Sequence, residues 1–313
     1  MEGYLRGYYG YKNFGDELLF FGVVKRLYTK YPLTKLFVEV GNTGRMEDWV
    51  RENYQGLLTE QQLKTIKFVN AKQHKYKFIT HLINFIGFGK YKKTFKFFGG
   101  GEVLSDERPF PHDGRNIPLL FNYSVQKKQF ILLGGIGKYR RSWTEMLYRY
   151  LLPKAEKIAV RDRDSLAIAK KFNPENTILY QDFAQEIIEN SKHKAPTSKQ
   201  KYIMININKQ SVNKENVQRI VDFCIHYPDH KKIFFPCDMK DDKLCFQTIK
   251  KYLSDLEMYD RTKHPLTESL SLFYYADGGI GARLHFLLPL KLYEKPIVAI
   301  PYADKINKLI IKR

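Results

Sequence analysis

Apolar and polar positions follow two rhythms along this chain. Short apolar runs end at polar or glycine-rich turns: "YLRGYYG" (Tyr4–Gly10), "KLFVEV" (Lys35–Val40), "KFFGGGE" (Lys96–Glu102), "QFILLGGIG" (Gln129–Gly137), the start of "KIAVRDRDSLAIAKKF" (Lys157–Phe172) and "TILYQD" (Thr177–Asp182). Between them lie stretches such as "DELLFFGVVKRLYTKY" (Asp16–Tyr31), with helical spacing of the apolar residues. Strand, turn and helix in succession predict a parallel sheet with crossover helices. "ENSKHKAPTSKQK" (Glu189–Lys201) is polar, contains Pro196, and reads as an interdomain linker.

A second alternating set follows. It comprises "YIMININ" (Tyr202–Asn208), a helix around Asn213–Tyr227, "KKIFFPC" (Lys231–Cys237), a helix around Asp242–Leu253, and "TESLSLFYYAD" (Thr267–Asp277). It closes on "GGIGARLHFLLPLKLYEKPIVAIPY" (Gly278–Tyr302): a helical apolar run, a turn at Glu294-Lys295-Pro296, and a buried strand. The expected fold class is therefore α/β, with two Rossmann-like domains whose parallel sheets face each other across a cleft. Residues 1–192 form the first, 193–201 the linker and 202–313 the second. Ligands of such sheets bind beyond the carboxyl ends of the strands, where the turns lie.

Size agrees: 313 residues fit two domains. Three cysteines do not make a disulfide framework. His226, His230 and Cys237 imitate a zinc set, but Pro228 spoils the helix that would align the histidines, so no metal is expected. The chain starts without a secretory signal, and "FITHLINFIGFG" (Phe78–Gly89) is too short to span a bilayer. A cytoplasmic location is expected. The net charge of +20 draws polyanions. It concentrates in "KQHKYKFITHLINFIGFGKYKKTFKFF" (Lys72–Phe98), which has no acid and interleaves lysines with aromatic rings. That pattern suits a peripheral contact with an anionic membrane surface. A buried helix with solvated lysine flanks gives the same pattern. Nucleic acid is not expected, since no binding motif accompanies the charge.

Several turns carry candidate chemistry. In "GYYGYKNFGDELL", Asn13, Gly15 and Asp16 can approach and hydrogen-bond sugar hydroxyls; alternatively, Asp16 is a helix N-cap. In "FFGGGEVLSD", Gly100 and Gly101 expose backbone N–H groups, with Glu102 and Asp106 just beyond. "LLGGIGKYRR" repeats the device and adds Lys138. In "VRDRDSL", Arg161 stands at a strand end and Ser165 on the first helical turn, a receiver for phosphate or carboxylate; alternatively, Arg161 pairs with Asp162 or Asp182. In "GGIGARLH", Arg283 can hold an anion, and His285 can give and take a proton, while Leu284, Leu287 and Leu288 turn inward.

Taken together, "GYYGYKNFGDELL", "FFGGGEVLSD", "LLGGIGK", "VRDRDSL", "TILYQDFA" and the Gly278–Tyr302 stretch resemble the polysaccharide pyruvyl transferase family. The Gly-x-Arg-Leu-His box before a Lys-Pro-Ile-Val strand is the most specific element. The resemblance implies a GT-B-like fold, phosphoenolpyruvate as donor, a sugar or lipid-linked saccharide as acceptor, and a pyruvate ketal as product. It implies donor binding and catalysis by Arg283 and His285, and a donor contact by Arg161. The turns themselves add Asp16 as a supporting catalytic carboxylate, Ser165, Gly281 and Lys138 as further donor-binding candidates, and Asn13, Gly15, Asp16, Gly100, Gly101, Glu102 and Asp106 as acceptor-binding candidates. No cofactor beyond the co-substrate is implied. Gly134 stands where many members have glutamine, and Pro289 is expected to interrupt the helix after the box. Two other readings remain open: a GT-B glycosyltransferase using a nucleotide sugar, and an inactive membrane-associated glycan-binding protein.

Overall fold

The computed structural model describes residues 1–70, 93–106, 129–195 and 200–300. In the first part, strands β1 (Glu2–Arg6), β2 (Lys35–Val40), β3 (Ile66–Asn70), β4 (Phe95–Leu104), β5 (Phe130–Ile136), β6 (Ala155–Val160) and β7 (Thr177–Leu179) alternate with helices. The helices are α1 (Phe14–Lys30), α2 (Thr43–Asn53), α3 (Glu60–Thr65), α4 (Ser142–Leu151), α5 (Arg163–Phe172) and α6 (Phe183–Glu189). In the second part, β8 (Tyr202–Asn206), β9 (Lys231–Phe234), β10 (Glu257–Met258), β11 (Gly279–Gly281) and β12 (Ile297–Ala299) alternate with α7 (Lys214–Ile225), α8 (Asp241–Lys250), α9 (Leu266–Tyr275) and α10 (Leu284–Leu292).

Among the described residues these strands form two sheets, ordered β3-β2-β1-β4-β5-β6-β7 and β10-β9-β8-β11-β12. Every pairing is parallel. The expected α/β class with two parallel sheets is what the structure shows. Strands β5 and β8 are buried at every position, as parallel strands covered on both faces must be. In each sheet the strand order reverses beside the first strand, at β1/β4 and at β8/β11. Turns leaving the carboxyl ends at such a reversal flank a natural crevice.

The chain divides into two compact units. The first is Met1–Tyr11 with Leu19–Phe183; the second is Lys12–Leu18 with Ala184–Arg313. Nearly all of α6, which the expected boundary at 192 assigns to the first domain, therefore groups with the second. The start of the expected linker is docked: His193 stacks on Tyr274 at 4.2 Å, and the Lys194 N–H donates to Ser271 Oγ at 3.2 Å. Phe98, Phe130, Tyr148 and Ile158 lie in one core, and Ile203, Ile220, Phe234 and Ile280 in the other.

Several expectations change. Pro289 does not interrupt its helix; α10 runs from Leu284 to Leu292 around it. In so short a helix the missing N–H removes a single bond, to the carbonyl of His285. Leu287 and Leu288 turn inward as expected, but Phe286 is buried with them and Leu284 is only partly covered. Strand β12 is half-buried rather than buried, because it is the edge of its sheet. Residues 72–92 of the basic segment, including Lys90 and Lys92, lie outside the described residues. Its tail is strand: Phe97 and Phe98 are buried in β4. Among the described residues no helix is long and apolar enough to cross a membrane.

Gly134 occupies a position no other residue fits. Its φ is +148°, and a Cβ there would lie 2.6 Å from the Gly101 carbonyl oxygen and 2.7 Å from that of Gly100. The glycine turns of β4 and β5 thus pack backbone against backbone, which excludes the glutamine of the family pattern. Gly134→Ala is expected to cost about 1–3 kcal/mol from strain alone. Urea unfolding would show this as a lower midpoint with an unchanged slope.

Candidate functional site

The site grows from the turns at the carboxyl ends of the second sheet. Leaving β8, Asn206 is fully buried; its Oδ1 accepts the Arg283 N–H at 3.3 Å and its Nδ2 donates to the Phe235 carbonyl at 2.9 Å. One asparagine thereby pins three turns, those after β8, β9 and β11. Arg283 is the N-cap of α10, so its side chain leaves the helix at the strand end. Its Nη2 donates to Asp242 Oδ1 at 2.6 Å.

Asp242 is a fully buried carboxylate at the start of α8. Its Oδ2 accepts the N–H groups of Cys237 and Asp238 at 2.9 and 3.0 Å. Burial pushes this carboxyl above its ordinary range, against the opposing pull of Arg283. The guanidinium is therefore the partner that makes the buried charge tolerable, and the carboxylate holds the guanidinium in place. Arg283 stays 22% exposed, enough to meet a ligand at its outer edge.

The turn before α1 completes the site. Lys12–Leu18 belong to the second unit. Phe14 is fully buried, stacked on Phe273 at 5.6 Å and edge-on to Phe235 at 4.9 Å. Its N–H donates to the Cys237 carbonyl at 2.8 Å, and Asn13 bridges to Asp238. Arg261, buried after β10, forms an ion pair with buried Glu17 and donates to the carbonyls of Lys12 and, at 3.1 Å, Pro236. Lys12 itself takes a positive φ of 59°. The turn is thus clamped by an aromatic plug and a buried charge pair.

The clamp sets Gly15 against His285. A Cβ on Gly15 would collide with Nδ1 of the imidazole, so the ring occupies the space a side chain would fill. Gly15 is a seat for the histidine. Gly281 is packed likewise: a Cβ there would lie 2.5 Å from the Phe286 ring, so this glycine lets α10 pack on β11. Asn13, not Asp16, caps α1; its Oδ1 accepts the N–H groups of Gly15 at 3.0 Å and Asp16 at 3.4 Å. Asp16 instead lies on the first helical turn, half-buried.

The turns of the first unit are more occupied than expected. Ser165 is buried; its hydroxyl accepts the Ile136 N–H at 3.0 Å and lies 2.8 Å from Asp162 Oδ2. Asp162 caps α5 by accepting the Ser165 N–H at 2.9 Å. The helix N-terminus is thus capped by a carboxylate from the chain itself, and Ser165 ties β5 to α5. Asp106 is also buried and accepts the N–H groups of Arg140 and Arg141, so it braces that turn. Arg161 pairs with Asp182 at 2.9 Å, the alternative weighed for it. Gly100 has a positive φ of 114°, Gly101 has open space at its Cβ position, and Glu102 and Lys138 are exposed. Burial pushes the thiols up, Cys224 to about 12 and Cys245 to about 11, so neither offers a thiolate near neutrality.

Solved structures with this fold include the S. aureus MnaA–UDP complex, with 8% identity and a TM-score of 0.65, covering 99% of this chain and 81% of the other. The UDP-GlcNAc 2-epimerase from Neisseria meningitidis bound to UDP-GlcNAc shows 10% identity, coverage of 96% and 82%, and a TM-score of 0.63. The UDP-GlcNAc 2-epimerase from Methanocaldococcus jannaschii shows 9% identity, coverage of 100% and 87%, and a TM-score of 0.65. Identities this low speak to the fold alone, and the fold is of the GT-B-like α/β class. No curated protein sequence matches the chain. The family model for polysaccharide pyruvyl transferase matches residues 13–304, and the chain belongs to that family.

The sequence reading missed Arg261, Glu17 and Asp242, whose partners are far apart in sequence. Arg261→Ala strands Glu17 as a buried charge and is expected to cost about 3–5 kcal/mol. The double variant Arg261→Met/Glu17→Leu should recover much of that loss. Urea unfolding of the two variants measures both.

Proposed function

We propose that this protein transfers pyruvate from phosphoenolpyruvate to a pair of hydroxyls on a sugar acceptor, forming a ketal and releasing inorganic phosphate. The observation that carries this reading is the Arg283–His285 pair at the strand-order reversal of the second sheet, braced by Asp242 and Gly15 in a member of the pyruvyl transferase family. Family membership supports the transferase class; the donor and the ketal are this reading's own additions.

The chemistry asks for two things these residues supply. Phosphoenolpyruvate brings a phosphate and a carboxylate, so an always-charged fork with fixed orientation suits it. Arg283 is such a fork, held along one edge by Asp242. Arg161 and Lys138 are the candidates for the second anionic group. The reaction starts when the methylene carbon takes a proton and becomes methyl, leaving positive charge on the adjacent carbon. One sugar hydroxyl attacks that carbon and gives up its proton. The second hydroxyl then displaces phosphate, and its proton leaves with the departing group or the base. His285 is the side chain suited to moving these protons. Asp16 is the carboxylate assigned to orienting the hydroxyls.

The runner-up is transfer from a nucleotide sugar. Its support is the UDP and UDP-GlcNAc bound in proteins of similar fold. At such identities that likeness does not reach the substrate, and the family match favours pyruvyl transfer.

The deciding assay mixes protein, phosphoenolpyruvate and tagged or lipid-linked sugars, and follows phosphate together with sugar mass. Acceptor-dependent phosphate release with the mass gain of a pyruvate ketal is expected. Nucleotide release from a sugar nucleotide under the same conditions, with no ketal, would replace this reading by its runner-up. His285→Ala should lower turnover by roughly 10²–10⁴ with little change in melting temperature. Gly15→Ala, which pushes the imidazole from its seat, should lower turnover in the same direction while leaving Arg283 in place.

A further inference from the structure

Helix α4 presents two faces. Thr144, Tyr148 and Leu151 are buried, with Tyr148 meeting Tyr139 edge-on at 5.9 Å. On another side Trp143, Met146 and Tyr150 recur at i, i+3 and i+7, which places them in one stripe. They are 38%, 66% and 38% exposed. Single exposed apolar residues are ordinary; three large ones aligned on one helix mark a contact surface.

Cations frame the stripe. Between Lys138 and Lys154 the sequence holds Lys138, Arg140, Arg141, Arg149 and Lys154 against one acid, Glu145. That acid is engaged by Lys171 at 2.9 Å and by Arg149 at 3.5 Å. Arg141 lies over the Trp143 ring at 5.9 Å, and Lys154 lies over the Tyr150 ring at 3.0 Å. Each exposed ring therefore carries its own cation. A ring that enters the headgroup layer beside a cation that meets lipid phosphate is the combination an anionic interface selects.

We propose that this face of α4 docks on an anionic lipid bilayer, with Trp143, Met146 and Tyr150 entering the headgroup layer and Arg140, Arg141, Arg149 and Lys154 meeting its phosphates. The docking face is rigid at its base. Asp106 holds the N–H groups of Arg140 and Arg141 at 2.8 and 3.0 Å, and so fixes the start of α4 to the end of β4. The stripe therefore runs along α4 toward the amino end of β6 and starts, at Trp143, at the carboxyl-end turns of the first sheet. If the proposed function holds, a lipid-linked acceptor would arrive at that same edge; the docking itself does not depend on that reading.

Co-sedimentation with phosphatidylcholine vesicles, with and without phosphatidylglycerol, tests the proposal in the full chain. Binding is expected only with phosphatidylglycerol. Arg140→Gln and Arg141→Gln should each weaken it roughly fivefold. Met146→Glu, at a site open enough to leave the melting temperature unchanged, should weaken it roughly tenfold or more. The chain has two tryptophans, Trp49 and Trp143, so Trp49→Phe leaves Trp143 as the reporter. Its emission should shift to the blue on binding. The proposal fails if the wild type ignores phosphatidylglycerol, or if Trp143 emission does not move. It also fails if Met146→Glu binds like wild type while charge reversal at Lys90, Lys92 and Lys93 abolishes binding; the basic segment is then the lipid contact. A monomer–dimer equilibrium that Met146→Glu abolishes, with no vesicle binding, would assign the stripe to self-association instead.

Discussion

The placement of His285 depends on how the Lys12–Leu18 segment is held. Seven residues near the start of the chain are built into the second unit, hundreds of positions away from most of their partners. Such a long-range attachment costs loop-closure entropy, and it persists only if the contacts that close it are strong. Here they are of two kinds. Phe14 fills a pocket of aromatic rings, a non-directional gain that grows with buried area. Arg261 and Glu17 supply direction: a buried guanidinium aligns the turn through Lys12, Pro236 and Glu17 together. The aromatic plug sets depth and the charge pair sets register. Neither alone would place the Gly15 backbone against a ring.

The same logic governs Arg283. A guanidinium at a strand end with only solvent around it would sample many rotamers. Asp242 removes that freedom, and its own burial is tolerable because it accepts two backbone N–H groups as well as the arginine. Asn206 then ties the backbone of Arg283 to β8. The result is a guanidinium whose orientation is set by the core. In the proposed reaction, preorganisation of this type would contribute to catalysis because the charge need not reorient.

Much of this was legible in the sequence, and the exceptions have physical causes. Strands such as "FILLGGI" and "YIMIN" announce themselves because both faces are buried, and Arg283 and His285 stand out because a glycine turn precedes them. Edge strand β3, "IKFVN", is half polar and gives no such run. Ser165 and Asp106 share one ambiguity: a polar residue at a turn looks the same in sequence whether its partner is a ligand or the backbone of a neighbouring turn. Only the fold shows that Ile136, Arg140 and Arg141 already use them. Asp242 was passed over as the start of an ordinary helix. Its role follows from a pairing across 41 positions, and local pattern carries no trace of such a distance.

Glycine in this protein has two separate meanings, and the distinction bears on evolution of the site. Gly134 is required by its own backbone angle and by the carbonyls it faces. Gly15 has no such angle; it is required by what its neighbour must do. A larger residue at Gly134 threatens the fold, whereas a larger residue at Gly15 threatens the position of one imidazole. In the sequence alone both are glycines in glycine-rich turns and look alike. Structurally, the first belongs to the scaffold of the first sheet and the second to the placement of His285. Replacement at the second is therefore the sharper probe of function, because it moves the ring while leaving the ion pairs that hold the turn intact.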